Sequence, residues 1–235
     1  MSIVIDRTLN YGRHHVRNFL RAAAPYHTVL DVGAGRGDDL MLAREVQPDA
    51  QLNAIEVDWK LAQYLAEKGI VLHNLNVEHD RFPFSDGSIE VVLANQILEH
   101  VKELFWVFHE ISRVLCEGGS LIIGVPNLAS LHNRFLLMLG RQPTSLQNAS
   151  AHVRGYTKSD ISRTLATVFP GGYELRNFGG SNFYPFPPTL ARPLAAKLPG
   201  MAWGIFLRLE KQRPYDREFL EFPGRAHLQT NFFVG

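Results

Sequence analysis

The stretch from Val29 to Leu40 constrains the fold of this chain more than any other. It begins with a short apolar run, Val29 to Val32, of the kind that forms a buried parallel strand. Three alternating glycines follow at positions 33, 35 and 37. Glycines turn sharply and let a ligand approach bare backbone, because they lack a Cβ. Since an acid-led helical pattern comes next, the stretch predicts a strand, a ligand-binding turn and a helix.

The residues around this glycine turn indicate the charge of its ligand. A nucleoside triphosphate is not expected, because a phosphate-binding loop ends in Gly-Lys-Ser/Thr and here Asp38 follows the last glycine. Asp38 or Asp39 can instead cap the next helix. Asp31 precedes the glycines, and Glu56 ends the next predicted strand, about 20 residues beyond, where ribose hydroxyls are usually held. Such acidic surroundings suit a nucleoside that carries positive charge.

Strand and helix patterns alternate after the turn, which favours an α/β fold with a parallel sheet. The predicted strands are 52–57, 70–73, 89–94, 120–125 and 173–178, and the predicted helices are 10–24, 60–68, 101–115, 128–139 and one that begins at a Thr157/Asp160 capping box. With 235 residues, 46% of them hydrophobic, the chain is long enough for one domain with a sizeable core.

Several motifs occur in a specific order and spacing. They are Asp-x-Gly-x-Gly-x-Gly at 31–37, Ile-Glu-Val-Asp at 55–58, Phe-Pro-Phe-Ser-Asp-Gly-Ser at 82–88, Leu-Glu-His at 98–100, and Glu-Ile-Ser-Arg-Val-Leu at 110–115 followed by two glycines. Through them the sequence resembles the class I S-adenosylmethionine-dependent methyltransferases, of the type 11 or small-molecule kind, over about residues 28–125. The resemblance implies a Rossmann-like, mostly parallel seven-stranded sheet with helices on both faces and insertions after strands 5 and 6. It also implies a last strand, Leu228 to Val234, that pairs antiparallel at the sheet edge.

The resemblance assigns a cofactor, S-adenosyl-L-methionine, whose product is S-adenosyl-L-homocysteine. Its implied contacts are Asp31, Gly33, Ala34, Gly35, Glu56, Val57, Asn76, Val77, Asn95 and Gln96. In this assignment the glycine turn holds the methionine part, Glu56 the ribose diol, and the residues around Asn76 the adenine. Asn76 stands where the family commonly has an acid, so we expect its uncharged amide oxygen to bind the adenine amino group more weakly.

The catalytic residues are less constrained, because methyl transfer from a sulfonium mainly needs alignment, desolvation and sometimes removal of a proton. His100 follows the fourth strand, and the ordinary pKa of histidine suits a general base. Alternatively, Glu99 and His100 only cap the helix that follows. His152 and Tyr156 are rival candidates, because the segment 127–157 leaves the sheet at the edge where such folds bind ligands.

The same segment supplies candidate substrate-binding residues, His132, Arg134 and Arg154. A second segment, 179–224, is rich in proline and aromatic residues. It is predicted to form either a lid, with possible contact to a membrane surface, or an extension packed on the core.

Metal and nucleic-acid sites are not expected. The sequence Gln96-Ile-Leu-Glu99-His100 resembles the Glu-x-x-Glu-His element of some methyltransferases that bind a divalent ion, but Gln96 replaces the first carboxylate, which weakens a site for a hard cation. His132 or His152 could supply a further ligand only through the fold. The formal net charge of +1 gives no general footprint for nucleic acid, and the single cysteine, Cys116, excludes an internal disulfide and a cysteine-based zinc site.

The sequence therefore predicts methyl transfer from S-adenosyl-L-methionine to a small-molecule acceptor, with the hydroxyl of a sugar or natural product as the expected target. The alternative is a non-catalytic cofactor-binding protein that serves as a partner or regulator of another enzyme, because no residue is an unambiguous base. Met1 to Thr8 lacks a basic segment followed by an apolar one, so a cytoplasmic location is expected.

Overall fold

A seven-stranded sheet lies at the centre of the computed structural model, which describes residues 6–235. The strands are β1 (Thr28–Val32), β2 (Gln51–Ile55), β3 (Val71–His73), β4 (Ile89–Asn95), β5 (Leu115–Pro126), β6 (Tyr173–Ser181) and β7 (Gly204–Lys211). Their order is β3-β2-β1-β4-β5-β7-β6, and neighbouring strands from β3 to β5 are parallel. Strand β7 runs antiparallel to both β5 and β6. The predicted Rossmann-like, mostly parallel α/β fold is confirmed.

Helices cover both faces of the sheet, as predicted. The α-helices are α1 (Arg13–Ala23), α2 (Asp38–Val46), α3 (Ala62–Glu67), α4 (Leu104–Val114), α5 (Leu131–Met138), α6 (Lys158–Val168), α7 (Pro188–Lys197) and α8 (Glu218–Arg225). Short 3-10 helices cover Arg7–Tyr11, Trp59–Leu61, Leu98–His100, Thr144–Leu146 and Pro199–Met201. Within residues 6–235, no helix has the length and apolar character needed to cross a membrane.

The alternation of side chains along β1 explains this layering. Val29 points into a cluster that contains the buried residues of α1, α2 and α3. Leu30 and Val32 point into a second cluster with the buried residues of α4, α6 and α8. Because both faces are covered, the strand is apolar except at Asp31, which is also buried.

The prediction for the last strand is wrong. β7 is formed by Gly204–Lys211 and lies inside the sheet, between β5 and β6, where its residues from 204 to 209 are all buried. Residues 228–234 form no strand; Phe232 and Phe233 pack edge-on against Phe105 and Trp106 of α4. The segment 179–224 therefore contributes β7 and α8 to the core, and only its part from 182 to 203 projects beyond the sheet.

The segments that follow β5 and β6 are tied to each other by Asn127, which is 2% exposed. Its side-chain amide donates to the carbonyl oxygens of Gly200 and Ala202, both at 2.9 Å. Its own carbonyl accepts from Nδ2 of Asn133 at 3.0 Å. The two segments thus form one rigid rim beyond the carboxyl ends of β5 and β6.

Candidate functional site

Two adjoining cavities lie at the carboxyl ends of β1, β2 and β4, and Gly33 contributes to both. The ribose-side cavity, of about 330 Å³, is lined by Gly33, Ile55, Glu56, Val57, Leu75, Asn76, Val77, Glu78, Ile97, His100 and Val101. The glycine-turn cavity, of about 280 Å³, is lined by Tyr11, Arg13, Asp31, Gly33, Ala34, Gly35, Arg36, Asp38, Asp39, Asn95 and Gln96. All ten residues predicted to bind the cofactor line one of these cavities.

The glycine turn is possible only with glycine at its alternating positions. Gly33, Gly35 and Gly37 have φ of 76°, 51° and 70°, in the left-handed region that other residues rarely adopt. A Cβ on Gly33 would lie 2.7 Å from Cδ1 of Ile97, whereas a Cβ on Gly35 would have no neighbour within 4 Å. The turn therefore packs tightly on the protein at Gly33 and opens toward the cavity at Gly35.

The predicted helix cap is corrected by the structure. Gly37 is the N-cap of α2, and Asp38 and Asp39 lie in the first turn of the helix. Asp38 pairs with Nη2 of Arg13 at 2.7 Å, and a carboxylate oxygen of Asp39 accepts from Nδ2 of Asn95 at 2.7 Å. The two aspartates thus connect α2 to α1 and to the end of β4.

Three carboxylates make the glycine-turn region acidic. Asp31 is 4% exposed; burial, together with the charges of Asp39 and Glu56, raises the pKa of Asp31 well above its usual range. Burial also raises the pKa of Asp39. Glu56 accepts from the backbone N–H of Gly35 at 2.9 Å, which fixes its carboxylate beside the turn. A ligand with positive charge would relieve the repulsion among these groups.

Asn76 is held by its own turn. Its Oδ1 accepts from the backbone N–H of Glu78 at 3.0 Å, and its backbone N–H donates to Asp80 at 2.7 Å. A second lone pair on Oδ1 is left for a ligand donor. The weak adenine contact expected from the sequence stays a prediction.

The last residue of β4 and the residue after it carry buried polar atoms that lack partners among the described residues. Asn95 Oδ1 and Gln96 Nε2 are buried without a hydrogen-bond partner in this part of the chain. Gln96 also has a φ of 57°, an unfavourable conformation for a residue with a Cβ. Strain and unsatisfied polar atoms at a cavity wall are features of ligand sites.

His100 and His152 lie together although 51 residues separate them. Their ring centroids are 4.8 Å apart in an edge-to-face arrangement. Nδ1 of His100 contacts the carbonyl oxygen of Ala151 at 3.2 Å, and Nδ1 of His152 contacts that of Ser145 at 3.1 Å. If each Nδ1 carries the ring proton, each Nε2 is an acceptor. Burial lowers the pKa of His100, which keeps this imidazole neutral and able to take a proton at pH 7.

Glu99 completes a group of three possible metal ligands. Its side chain is almost fully buried, burial raises its pKa to about 7, and Oε2 has no partner among residues 6–235. A carboxylate oxygen of Glu99 and one ring nitrogen each of His100 and His152 all lie within 4.8 Å of one another. Two imidazoles and a carboxylate are a donor set that can hold a divalent transition ion. The sequence predicted no metal because Gln96 replaces the first carboxylate of the motif, and because His152 could reach this position only through the fold.

Tyr156 does not lie beside the cofactor cavities. Its hydroxyl donates to the carbonyl oxygen of Leu98 at 3.0 Å, and its ring is 8% exposed. Burial raises the pKa of Tyr156 further above its usual range. It lines a separate cavity with residues of α4 and α6. The placement supports a structural role, in which Tyr156 fixes the turn before His100.

The predicted substrate-binding residues are largely occupied by local hydrogen bonds. His132 contacts the hydroxyls of Ser130 and Thr144 through its two ring nitrogens, at 3.1 and 2.8 Å. Arg134 Nε donates to the carbonyl oxygen of Ala129 at 2.8 Å. Arg154 donates to two consecutive backbone carbonyls, those of residues 101 and 102, at 3.1 and 2.7 Å. These contacts hold the rim in shape, and none of the three side chains lines a cofactor cavity.

Sequence reasoning missed Tyr11 and Arg13 as site residues, because it included them in one long helix from residue 10. Gly12 divides that pattern with a φ of 52°, so Tyr11 ends a 3-10 helix and Arg13 begins α1. Arg13 also borders a larger cavity, of about 610 Å³, between the start of α1, the end of β6 and α7. The glycine at position 12 was the available signal for this break.

Comparison with known proteins agrees with this geometry. Residues 30–123 match a family model described as a methyltransferase domain. The arsenite methyltransferase of Halobacterium salinarum is 33% identical over 108 residues, which cover 43% of this chain and 28% of that protein. The demethylmenaquinone methyltransferase of Listeria welshimeri is 31% identical over 99 residues, which cover 40% of this chain and 42% of that protein. The chain spans less than half the length of the curated relatives it matches.

A solved structure shares the fold over most of its length. The 1,6-didemethyltoxoflavin-N1-methyltransferase of Burkholderia thailandensis, with bound 1,6-didemethyltoxoflavin and S-adenosylhomocysteine, has a TM-score of 0.57 and 15% identity, covering 88% of this chain and 80% of that one. The fold is that of the solved methyltransferase, and the glycine turn lies inside the matched stretch, residues 30–123. The match over residues 30–123 and the shared fold are what the resemblance to the class I S-adenosylmethionine-dependent methyltransferases predicted. S-adenosyl-L-methionine is the cofactor of that family, and the acidic cavity beside the glycine turn fits its positive charge.

Proposed function

We propose that this protein transfers the methyl group of S-adenosyl-L-methionine to a hydroxyl of a small-molecule acceptor, a sugar or a natural product. The observation that carries the proposal is the pair of cavities that meet at Gly33, with buried carboxylates at one and the His100 side chain at the other. A cationic ligand and a proton acceptor are the two requirements of O-methylation by a sulfonium.

The cofactor occupies both cavities in this proposal. Its methionine part lies along the glycine turn, where Asp31 accepts from the ammonium group. The ribose hydroxyls donate to Glu56, whose oxygens keep lone pairs besides those used by backbone N–H groups. The adenine lies near Asn76 and Val77.

The reaction is an in-line displacement. The acceptor oxygen forms a bond to the methyl carbon as the bond from that carbon to sulfur breaks, and its electron pair passes to sulfur. The sulfonium becomes the neutral thioether of S-adenosyl-L-homocysteine, and the hydroxyl proton passes to Nε2 of His100 or His152. The backbone contacts at Nδ1 hold both rings in the tautomer that this transfer needs.

We place the acceptor on the side of His100 and His152, under the rim formed by 127–157. The rival position is the cavity of about 610 Å³ beside α7, which Arg13 connects to the glycine-turn cavity. Ala196→Phe would obstruct that cavity from its exposed wall, whereas His152→Asn alters the histidine side. We expect His152→Asn, and not Ala196→Phe, to raise KM for the acceptor.

Isothermal titration calorimetry tests the cofactor part first. We expect wild type to bind S-adenosyl-L-methionine and Glu56→Ala to bind it at least about tenfold more weakly, because a charged hydrogen-bond acceptor is lost. Absence of binding by wild type, or unchanged binding by the variant, contradicts the assignment.

Product analysis tests the transfer itself. The protein is incubated with cofactor carrying a deuterated methyl group and an extract of its own source, and labelled products are sought by mass spectrometry. Cofactor binding without any labelled product over a broad acceptor panel would favour the alternative, a cofactor-binding partner or regulatory protein.

A further inference from the structure

Large apolar side chains are exposed at the carboxyl end of α5. Phe135, Leu137, Met138 and Leu139 keep 55%, 55%, 78% and 73% of their surface exposed. A water-facing helix normally carries polar residues on its outer side, but here the sequence from 135 to 139 is Phe-Leu-Leu-Met-Leu. We call these five residues the α5 tip. Exposed apolar groups at this density mark a contact surface.

The two segments that carry the α5 tip and α7 contain no acidic residue. Residues 118–159 contain no aspartate or glutamate, and neither do residues 175–209. The chain as a whole is nearly balanced, with 24 basic and 23 acidic residues, so the carboxylates are segregated away from these two segments. The exposed cations there include Arg134 and Arg141 beside the tip.

Helix α7 extends this surface. Leu131, at the start of α5, packs on the apolar cluster that contains Ala191 and Ala195 of α7. Helix α7 also exposes Arg192 and Lys197. Because α5 follows β5 and α7 follows β6, and both strands run in the direction of β1, the two helices stand at the same edge of the sheet.

We propose that the α5 tip docks this protein on an anionic lipid bilayer. The tip residues would enter the boundary between headgroups and acyl chains, and the flanking arginines would contact acidic headgroups. The sequence suggested membrane contact through 179–224; the most exposed apolar side chains lie instead on α5, with α7 adding positive charge. The proposal does not depend on the proposed methyl transfer.

Cosedimentation with vesicles tests the proposal. We expect wild type to bind phosphatidylcholine vesicles that contain about 30% phosphatidylglycerol, to bind vesicles of phosphatidylcholine alone far less, and to be released at high salt. Met138→Ser combined with Leu139→Ser should weaken binding at least about tenfold, because the tip loses its apolar contact. Arg141→Glu, which lowers the charge beside the tip by two, should weaken vesicle binding to a similar degree.

Matched controls lie far from the tip. Val71→Ser removes an apolar side chain that is 56% exposed on the edge strand β3, and Arg21→Glu reverses an exposed charge on α1. Both should bind vesicles as wild type does. Leu139→Trp reports insertion directly, since its added fluorescence should shift to shorter wavelength with anionic vesicles and be quenched by lipids brominated in the acyl chain.

The proposal is overturned if wild type fails to bind anionic vesicles, or if the serine double variant binds them equally while its melting temperature is unchanged. A different occupant would show itself in sedimentation velocity. If wild type is a dimer that the double variant converts to a monomer, and neither binds vesicles, the tip is a surface for self-association.

Discussion

Asp31→Asn is expected to stabilise the cofactor-free protein and, at the same time, to weaken cofactor binding. Asp31 is buried in β1, and burial, with the charges of Asp39 and Glu56, raises its pKa well above the usual range. Ionisation of this group therefore destabilises the folded chain. Asparagine has nearly the same shape and no charge, so the substitution removes that cost and also removes the charged acceptor for the cofactor ammonium.

The sign of the pH dependence follows from the direction of the shift. A carboxyl group with a higher pKa in the folded state binds its proton more tightly there, so stability falls as pH rises from the ordinary value of 3.8 toward the folded pKa. Each pKa unit of that elevation costs about 1.4 kcal/mol once both states are ionised. Asp31→Asn should therefore match wild type near pH 3 and be the more stable protein at pH 7.

The loss of cofactor affinity can be estimated separately. A hydrogen bond to a charged group contributes about 1.5–3 kcal/mol, which corresponds to a Kd for S-adenosyl-L-methionine raised about 10- to 150-fold. Denaturant unfolding without ligand between pH 4 and 8 measures the first effect, and calorimetry at pH 7.5 measures the second. Asp49→Asn, at an exposed position outside the cavities, is the matched control.

The two measurements must move in opposite directions. If Asp31→Asn is less stable than wild type at pH 7, or keeps the same pH dependence, the carboxylate is not the strained group that its surroundings indicate. If stability rises but cofactor affinity is unchanged, Asp31 does not face the cofactor. Either result would refute the reasoning for this site.

Three further outcomes are expected. Gly33→Ala should cost about 1–3 kcal/mol of stability and reduce cofactor affinity more than tenfold, because its Cβ would meet Ile97 at 2.7 Å in a left-handed backbone; calorimetry showing wild-type affinity would contradict this. His100→Asn should lower kcat at least about 100-fold with little change in cofactor Kd; equal turnover would remove the base from this position. Zinc should bind at one ion per chain to Glu99, His100 and His152, add about 2.7 kcal/mol of stability at 100 times its Kd, and inhibit methyl transfer, because it occupies the ring nitrogens that would otherwise accept the proton; equal stabilisation of His152→Asn would disprove the site.

The first half of the chain could be predicted from sequence because its signals are local. The glycines at 33, 35 and 37 can adopt a left-handed backbone, which is a property of each residue alone, and all three do so. Glu56 was found from its distance along the chain after the turn, and parallel pairing of β1 with β2 brings it back to Gly35. Strand, turn and neighbouring strand therefore located the glycine turn and Glu56, whereas Asn76, Val77, Asn95 and Gln96 were assigned through the family resemblance.

The second half was harder because its strand β7 contains a charged residue. Arg208 interrupts the apolar run from Ile205 to Leu209, and the run lies inside the proline- and aromatic-rich segment 179–224, which was predicted to be a lid or a packed extension. In the fold its guanidinium donates to Asn177 at 2.7 Å and to Ser120 at 3.0 Å, on the two neighbouring strands. A buried charge with such partners is tolerated, but the partners are 31 and 88 residues away along the chain.

The candidate residues of 127–157 show why residue type alone is a weak guide to catalysis. Much of this segment lacks regular secondary structure, so its backbone carbonyls need donors from side chains. Arg134, Arg154 and Asn133 supply such donors, which explains why polar residues are frequent there. His152 differs, because its contact with Ser145 uses one ring nitrogen and leaves the other beside His100.

Unsatisfied polar atoms give a more selective guide. Six buried side-chain atoms lack a hydrogen-bond partner within the described chain, and four of them belong to Arg13, Asp39, Asn95 and Gln96, which line the glycine-turn cavity. A fifth is Oε2 of Glu99, beside the histidine pair. Arg13 Nε and Asp39 Oδ1 lie 3.6 Å apart and form an ion pair. The atoms of Asn95, Gln96 and Glu99 have no such partner, and a buried polar atom without one costs about 1–3 kcal/mol. We therefore expect the side-chain atoms of Asn95, Gln96 and Glu99 to contact the cofactor and the acceptor.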